Sequence, residues 1–382
     1  MTGAATPEAT AENTPVATTP EVTPAPTAEL RAWREGAVGR IRLERPKALN
    51  SLTLAMVRAF EAALDDLEAD PAVRAILVDG AGERGFCAGG DIRAVADSGR
   101  RGDGLAATFW REEYLLNARI SHLAKPYVVL MDGIVMGGGV GLAVHGRIRV
   151  VTERTRLAMP EVGIGFVPDV GGTFALARTP GELGTWMALT GEAIGAADAV
   201  YAGLADHVVA SDRLPALGEA LAALGPDAGP DEVAAAVAGF AVAPDATGPL
   251  QQHRALIDRT MAAGEVEAIL TALGRAGGEF ATTSAATIAG RSPTSLKVAL
   301  KLLRLARGAD LETCLTREFR AACRTLAGAD FYEGVRAAVI DKDRRPQWSP
   351  KRLDEVGEAI VAAHMEPVDG EPVFPAPAAK PG

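Results

Sequence analysis

Tyr127-Val128-Val129-Leu130-Met131, then Met136-Gly137-Gly138-Gly139-Val140-Gly141, then Arg149-Val150-Val151 follow one another with short spacers. The first is an apolar run of strand length, the second a glycine-rich loop leading into a helix that ends at about residue 145, and the third another strand. A strand that reaches the next strand through a loop and a helix is the crossover unit of a parallel sheet, so this stretch sets the α/β class. Upstream, Val38–Leu43 alternates as a half-buried strand, a turn follows at Pro46, a helix spans about 53 to 68, and Ala75-Ile76-Leu77-Val78 is a short buried strand. A helix around 105–122 leads into Tyr127. After about 215 the strands stop, and 215–345 reads as helices rich in Ala, Leu, Glu and Arg.

The expected organisation of the 382 residues is a tail over 1–28, an α/β core over 29–214, a helical C-terminal domain over 215–350, and a partly disordered C-terminal segment over 351–382. The tail is Ala, Thr, Pro and Glu almost throughout and cannot bury a core; the chain after about 366 reads the same way. No Lys or Arg precedes Arg31, whereas signal and transit peptides need positive charge near the start, so a cytoplasmic protein is expected. Cys87, Cys314 and Cys323 are too few and too scattered for a disulfide framework or a metal cluster, which fits a reducing compartment. No run reaches the roughly 18 apolar residues that span a bilayer. A net charge of −10, from 39 Lys and Arg against 49 Asp and Glu, disfavours nucleic acid and anionic membrane as partners, so any anionic ligand must be held locally.

Two glycine-rich loops follow expected strands: Gly85-Phe86-Cys87-Ala88-Gly89-Gly90-Asp91 and Met136 to Gly141. Glycine lets a ligand approach main-chain amides that a β-carbon would screen. Two such amides aimed at one oxygen are what a thioester or ester carbonyl needs as negative charge develops on it. Each loop reads equally as a tight strand-to-helix turn. The second is no dinucleotide fingerprint, because Val144 stands where the third glycine belongs, and no Gly-x-Ser-x-Gly elbow occurs.

Met159 to Gly172 carries two acids, Glu161 and Asp169, each preceded by proline and set among apolar residues. A carboxyl in such surroundings has its pKa raised toward neutrality and becomes useful as a general base or acid. The residues leave the alternative open: Asp169 as N-cap of a helix starting near Gly171, Glu161 as a solvated loop charge. Asp91 reads as the N-cap of the following helix, and Glu112 and Glu113 read as a solvated helix face. His145, His207 and the three cysteines read as structural, and no metal site is expected.

Ala88-Gly89-Gly90-Asp91, Gly137-Gly138-Gly139 and Pro160-Glu161 together resemble the crotonase (enoyl-CoA hydratase/isomerase) superfamily. Arg111-Glu112-Glu113-Tyr114, Pro168-Asp169-Val170-Gly171-Gly172, Ser292 to Lys297, Asp330 to Arg336 and Ile340 to Asp343 are similar to a branch of it that cleaves short 3-hydroxyacyl-CoA thioesters. The likeness runs from about 33 to 350. It implies a crotonase fold of repeated ββα units with a helical C-terminal domain and a groove for coenzyme A; crotonase relatives often associate, which leaves open whether this chain forms a homo-oligomer. It places the oxyanion hole on the amides of Gly90 and Gly138, the catalytic acids at Glu161 and Asp169, and substrate contacts at Glu113, Lys47, Ala48, Ala88, Asp91 and Ile92. Coenzyme A comes as part of the substrate, so no separate cofactor is implied.

Hydratases of this superfamily carry a second glutamate where this chain has Gly141, and commonly a small residue where it has Asp169. Hydration needs two acids to hold and split one water, so the resemblance favours a hydrolase acting on 3-hydroxyisobutyryl-CoA or 3-hydroxypropionyl-CoA, in the branched-chain amino acid degradation that breaks down valine. The rivals are an enoyl-CoA hydratase or isomerase on the same fold, and a catalytically silent CoA-binding protein.

Overall fold

The computed structural model describes residues 27–244 and 246–375. Apart from its last two residues, the stretch expected as an N-terminal tail lies outside them. Among the described residues nine strands form two sheets: β1 (Leu30–Glu35), β2 (Val38–Leu43), β3 (Ala75–Gly80), β4 (Gly85–Cys87), β5 (Tyr127–Met131), β6 (Ile134–Met136), β7 (Ile148–Val151), β8 (Arg156–Ala158) and β9 (His207–Val208). The larger sheet has the order β1-β2-β3-β5-β7-β9 and the smaller the order β4-β6-β8. Among the described residues the β1–β2 hairpin is the one antiparallel strand pair, and the other strand pairs are parallel.

Strand periodicity divides the large sheet between two cores. Ile76, Val78, Val129 and Met131 face one cluster, while Ala75, Leu77, Val128 and Leu130 face another, which is why the central strands read as unbroken apolar runs. Helix α1 (Leu54–Ala69) is capped by the Thr53 hydroxyl, which accepts from Met56 N–H, and buries Met56, Val57, Phe60, Leu64 and Leu67 on the first cluster. Helices Leu214–Ala222 and Pro230–Ala238 cover the other face through Leu217, Leu221, Val233 and Val237.

The stretch 215–350 is helical and shares its main core with the sheets, in one cluster of buried side chains that runs from Leu30 to Val335. One expectation is corrected. Residues 366–375 are no free tail: Glu371 pairs with Arg320, Gly370 O accepts from Arg111 Nε, and Val368 and Phe374 pack on the core. The prolines and low core content of this segment hid partners that lie on two distant helices.

Candidate active site

Three parallel strands of the small sheet position the chemistry. β4 leads into Ala88 to Asp91, β6 into Gly137 and Gly138 at the start of α4 (Gly138–Val144), and β8 into Met159 to Glu161. Parallel neighbours release their loops at the same edge, the carboxyl edge where α/β proteins bind ligands. The loops meet closely: a β-carbon on Gly138 would lie 3.3 Å from the Gly90 nitrogen and collide with Glu113 Oε1, and one on Gly137 would lie 3.1 Å from Glu161 Oε1. Among the described residues, neither the Gly90 nor the Gly138 amide donates a hydrogen bond within the protein.

A cleft of ≈ 340 Å³ collects Ala48, Ala88, Gly90, Asp91, Ile92, Glu113, Gly138, Glu161 and Asp169 on one lining. Of the residues singled out from sequence, Lys47 stands apart, exposed on the short helical turn Pro46–Ala48 beside Ala48. Asn50 holds that turn, its amide nitrogen donating to Ala81 O and Gly85 O while its Oδ1 accepts from Arg45 N–H. Asp91 is the N-cap of α2 (Ile92–Arg101), accepting from Ala94 N–H at 3.3 Å, and also pairs with Arg45.

Glu161 and Asp169 are each 5% exposed and Glu113 is 2% exposed. Asp169 is not a helix cap: its Oδ2 accepts from the Tyr114 hydroxyl at 2.8 Å. Nor is Glu161 a solvated charge, for its Oε2 is buried without a partner. Burial, followed by the Asp169 charge, raises both Glu113 and Glu161 well above the ordinary carboxylate range. Burial pushes Asp169 up to about 8, against the Tyr114 hydrogen bond that pulls it down. With so many carboxyls in one dry cleft, protons are shared among them, which suits groups that must take up and return one.

Glu113 lies on α3 (Leu105–His122), and its expected solvated face is corrected. Ala106, Phe109, Trp110, Glu113, Tyr114 and Asn117 form one buried stripe at helical spacing, whereas Glu112 points outward to pair with Arg58. That spacing was the available signal. Sequence reasoning also missed Arg93, an exposed cation that lines the cleft and has no ion-pair partner among the described residues, and the aromatic wall of Trp110, Phe166 and Phe331. The Ser292 and Asp330 motifs support that wall: Ser292 Oγ donates to Asp330 Oδ2 at 2.6 Å, fixing the residue next to Phe331.

A model of the enoyl-CoA hydratase/isomerase family matches residues 38–365. The chain belongs to the enoyl-CoA hydratase/isomerase family. Within the family it is 43% identical over 336 residues to "3-hydroxyisobutyryl-CoA hydrolase, mitochondrial" of Xenopus tropicalis, covering 87% of each chain. It is 41% identical over 342 residues to the Homo sapiens protein of the same name, covering 88% of each. Among solved structures, a carnitinyl-CoA dehydratase from Mycobacterium thermoresistibile superposes with a TM-score of 0.86 at 45% identity, over 91% of this chain and 99% of that one. An enoyl-CoA hydratase from Rhodobacter sphaeroides 2.4.1 gives 0.79 at 39%, over 89% and 98%.

These family names differ in reaction, and one position bears on the difference. A β-carbon on Gly141 would lie 2.5 Å from Val170 Cβ and 3.0 Å from Asn117 Nδ2, so in this family member that space is filled and no carboxylate fits at 141.

Proposed function

We propose that this enzyme hydrolyses the thioester of 3-hydroxyisobutyryl-CoA, with 3-hydroxypropionyl-CoA as a second substrate, releasing the 3-hydroxy acid and CoA in valine breakdown. The curated relatives carry the first of these substrates in their name. The observation that favours hydrolysis over hydration is the filled space at Gly141, beside an acid retained at Asp169.

The amides of Gly90 and Gly138 polarise the thioester carbonyl and hold the oxyanion. Glu161 acts on the carbonyl carbon by one of two routes. As a base it takes a proton from water, whose oxygen then attacks. As a nucleophile its own oxygen attacks, CoA leaves as a thiolate that takes up a proton, and water cleaves the resulting mixed anhydride. Asp169 and Glu113 position the 3-hydroxyl or the water. Lys47 and Arg93 beside the cleft, without an ion-pair partner among the described residues, suit the phosphates of CoA, a local answer to the chain's net charge of −10. Neither route needs a metal or a redox cofactor, since CoA arrives with the substrate.

Among the described residues no helix is long and apolar enough to cross a membrane. Cytoplasmic placement is proposed on the three free cysteines, which fit a reducing compartment, although the relatives are named mitochondrial. Self-association is proposed on the family likeness, and sedimentation of the full chain reads it directly.

The test is thiol release, followed with a disulfide dye, from 3-hydroxyisobutyryl-CoA beside crotonyl-CoA and acetyl-CoA. Release selective for the 3-hydroxyacyl thioester is expected. Loss of the enoyl absorbance of crotonyl-CoA without thiol would make the chain a hydratase, and CoA binding without turnover of any thioester would make it silent.

A further inference from the structure

Glu318 is fully buried on the Leu311–Thr325 helix, remote in sequence from every loop of the cleft, and does not line the cleft itself. Its Oε2 accepts from Gly171 N–H at 2.7 Å, and its Oε1 accepts from Thr173 N–H at 2.9 Å and from the Thr173 hydroxyl. Those amides open helix α5 (Gly172–Leu176), so the carboxylate caps that helix from another part of the chain.

Directly before α5 the backbone makes an uncommon corner. Val170 has φ 54° and Gly171 φ 75°. A β-branched residue in the left-handed region is strained and persists only where the surroundings hold it. His145 Nε2–H grips the corner from the other side, donating to Val170 O at 2.8 Å. The corner is what turns Asp169 toward Tyr114 and the cleft.

We infer that Glu318 is a positioning residue for Asp169: by binding the amides of Gly171 and Thr173 it locks the Val170 corner that presents the Asp169 carboxyl to the acyl group. The inference rests on the proposed hydrolase reading of this site. A local cap would fix α5 alone, whereas a carboxyl brought from the C-terminal helices fixes α5 and places a charge among the cleft acids. The titratable groups that act on Asp169 are Glu113 and Tyr114 from α3, Glu161 from the turn after β8, and Glu318, while His145 at the end of α4 touches the adjoining Val170 and Gly171. Glu318 collects three donors and Asp169 one side-chain donor, while Glu113 Oε1 and Glu161 Oε2 have none. The carboxylate of the group that accepts the most hydrogen bonds is therefore Glu318, and its charge disfavours ionisation of Asp169.

The experiment is a cycle of Glu318→Gln, Asp169→Asn and the double variant in the full-length enzyme, read as kcat, KM and the pH dependence of thiol release from 3-hydroxyisobutyryl-CoA. Glu318→Gln is expected to lower kcat by about 10- to 100-fold with KM within about threefold. The limb of the pH profile that Asp169→Asn abolishes is expected to move to lower pH, because a negative neighbour is gone. The double variant is expected to be no slower than Asp169→Asn alone, since a residue acting through Asp169 has nothing left to position. Losses that multiply, together with an unmoved limb, overturn the inference. Should Glu318→Gln not fold, Thr173→Val removes one donor and keeps both amides, and the same non-additivity with Asp169→Asn is required. Wild-type protein that releases no thiol overturns the hydrolase reading instead, before any variant is made.

Discussion

The Tyr114 hydroxyl stands 2.8 Å from Asp169 Oδ2 and donates to it, from a helix whose next turn carries Asn117. This bond favours the ionised form of Asp169 and opposes the burial that raises it to about 8. Tyr114→Phe removes the donor and keeps the ring, which packs edge-on against Phe319. The ionisation of Asp169 should therefore move above about 8, and the Asp169-dependent limb of the pH profile with it. An unshifted profile in Tyr114→Phe would separate this hydroxyl from the titrating group.

Buried carboxyls also set how stability varies with pH. Glu113 and Glu161 are raised well above their ordinary values, Asp169 to about 8 and Glu318 to about 7, in each case chiefly by burial. In the unfolded chain all four titrate near 4. Between about 4 and 8 the folded state holds more protons than the unfolded one, so the free energy of unfolding from these groups falls as pH rises. Their contribution is complete below about 4 and is lost as pH climbs through the folded values. Glu161→Gln should accordingly melt above wild type at pH 8, with the gap closing toward pH 4, while kcat drops by about three orders of magnitude and KM holds. Denaturant melts and thiol release on one preparation test both halves. A variant as active as wild type removes Glu161 from the chemistry, and one no more stable at pH 8 contradicts the proton accounting.

What could be read in the sequence follows the range of the interactions involved. The two glycine loops and the strands before them were legible because each is a local pattern: an apolar run, then residues that admit close backbone approach. Glu161 and Asp169 were legible as acids in apolar company, but their roles were not. The cap expected of Asp169 is supplied by Glu318, which the chain brings from the far side of the fold. No spacing rule links 169 to 318. Glu113 was misread for a different reason: its neighbours Arg111 and Glu112 made the patch look charged, although the helical period placed Glu113 with Phe109 and Trp110.

Gly141 gives a prediction about reaction type. Any side chain there meets Val170 Cβ at 2.5 Å, and Val170 cannot retreat without releasing the corner gripped by His145 and Glu318. Gly141→Ala should cost about 1–3 kcal/mol of stability through overpacking. Gly141→Glu should gain no hydration of crotonyl-CoA, because its carboxyl has no room to reach the cleft. Spectrophotometric loss of the enoyl chromophore in Gly141→Glu would show that the space opens more readily than this packing allows.

The C-terminal strap joins the two helices that carry the missed acids. Arg111, two residues before Glu113, donates from Nε to Gly370 O at 2.5 Å, and Arg320, two residues after Glu318, pairs with Glu371 at 2.7 Å. Val368 and Phe374 are partly buried against the same core. The partly exposed Arg320–Glu371 pair contributes at most about 1 kcal/mol, the Arg111 hydrogen bond to the Gly370 carbonyl about as much, and half-burying two apolar side chains about 1–2 kcal/mol more. A chain ending at Met365 should therefore unfold at lower denaturant. It should also lose kcat, since the strap's tie between α3 and the Leu311–Thr325 helix is gone, leaving the His122–Glu312 pair and the Tyr114–Phe319 contact to hold the spacing on which Glu113 and Asp169 depend. Substituting Arg111→Ala and Arg320→Ala in the full chain should reproduce part of the kinetic loss. If the shortened chain matches the full one in both midpoint and turnover, the strap is only a covering segment and the Tyr114–Phe319 contact and the His122–Glu312 pair hold the helix spacing without it.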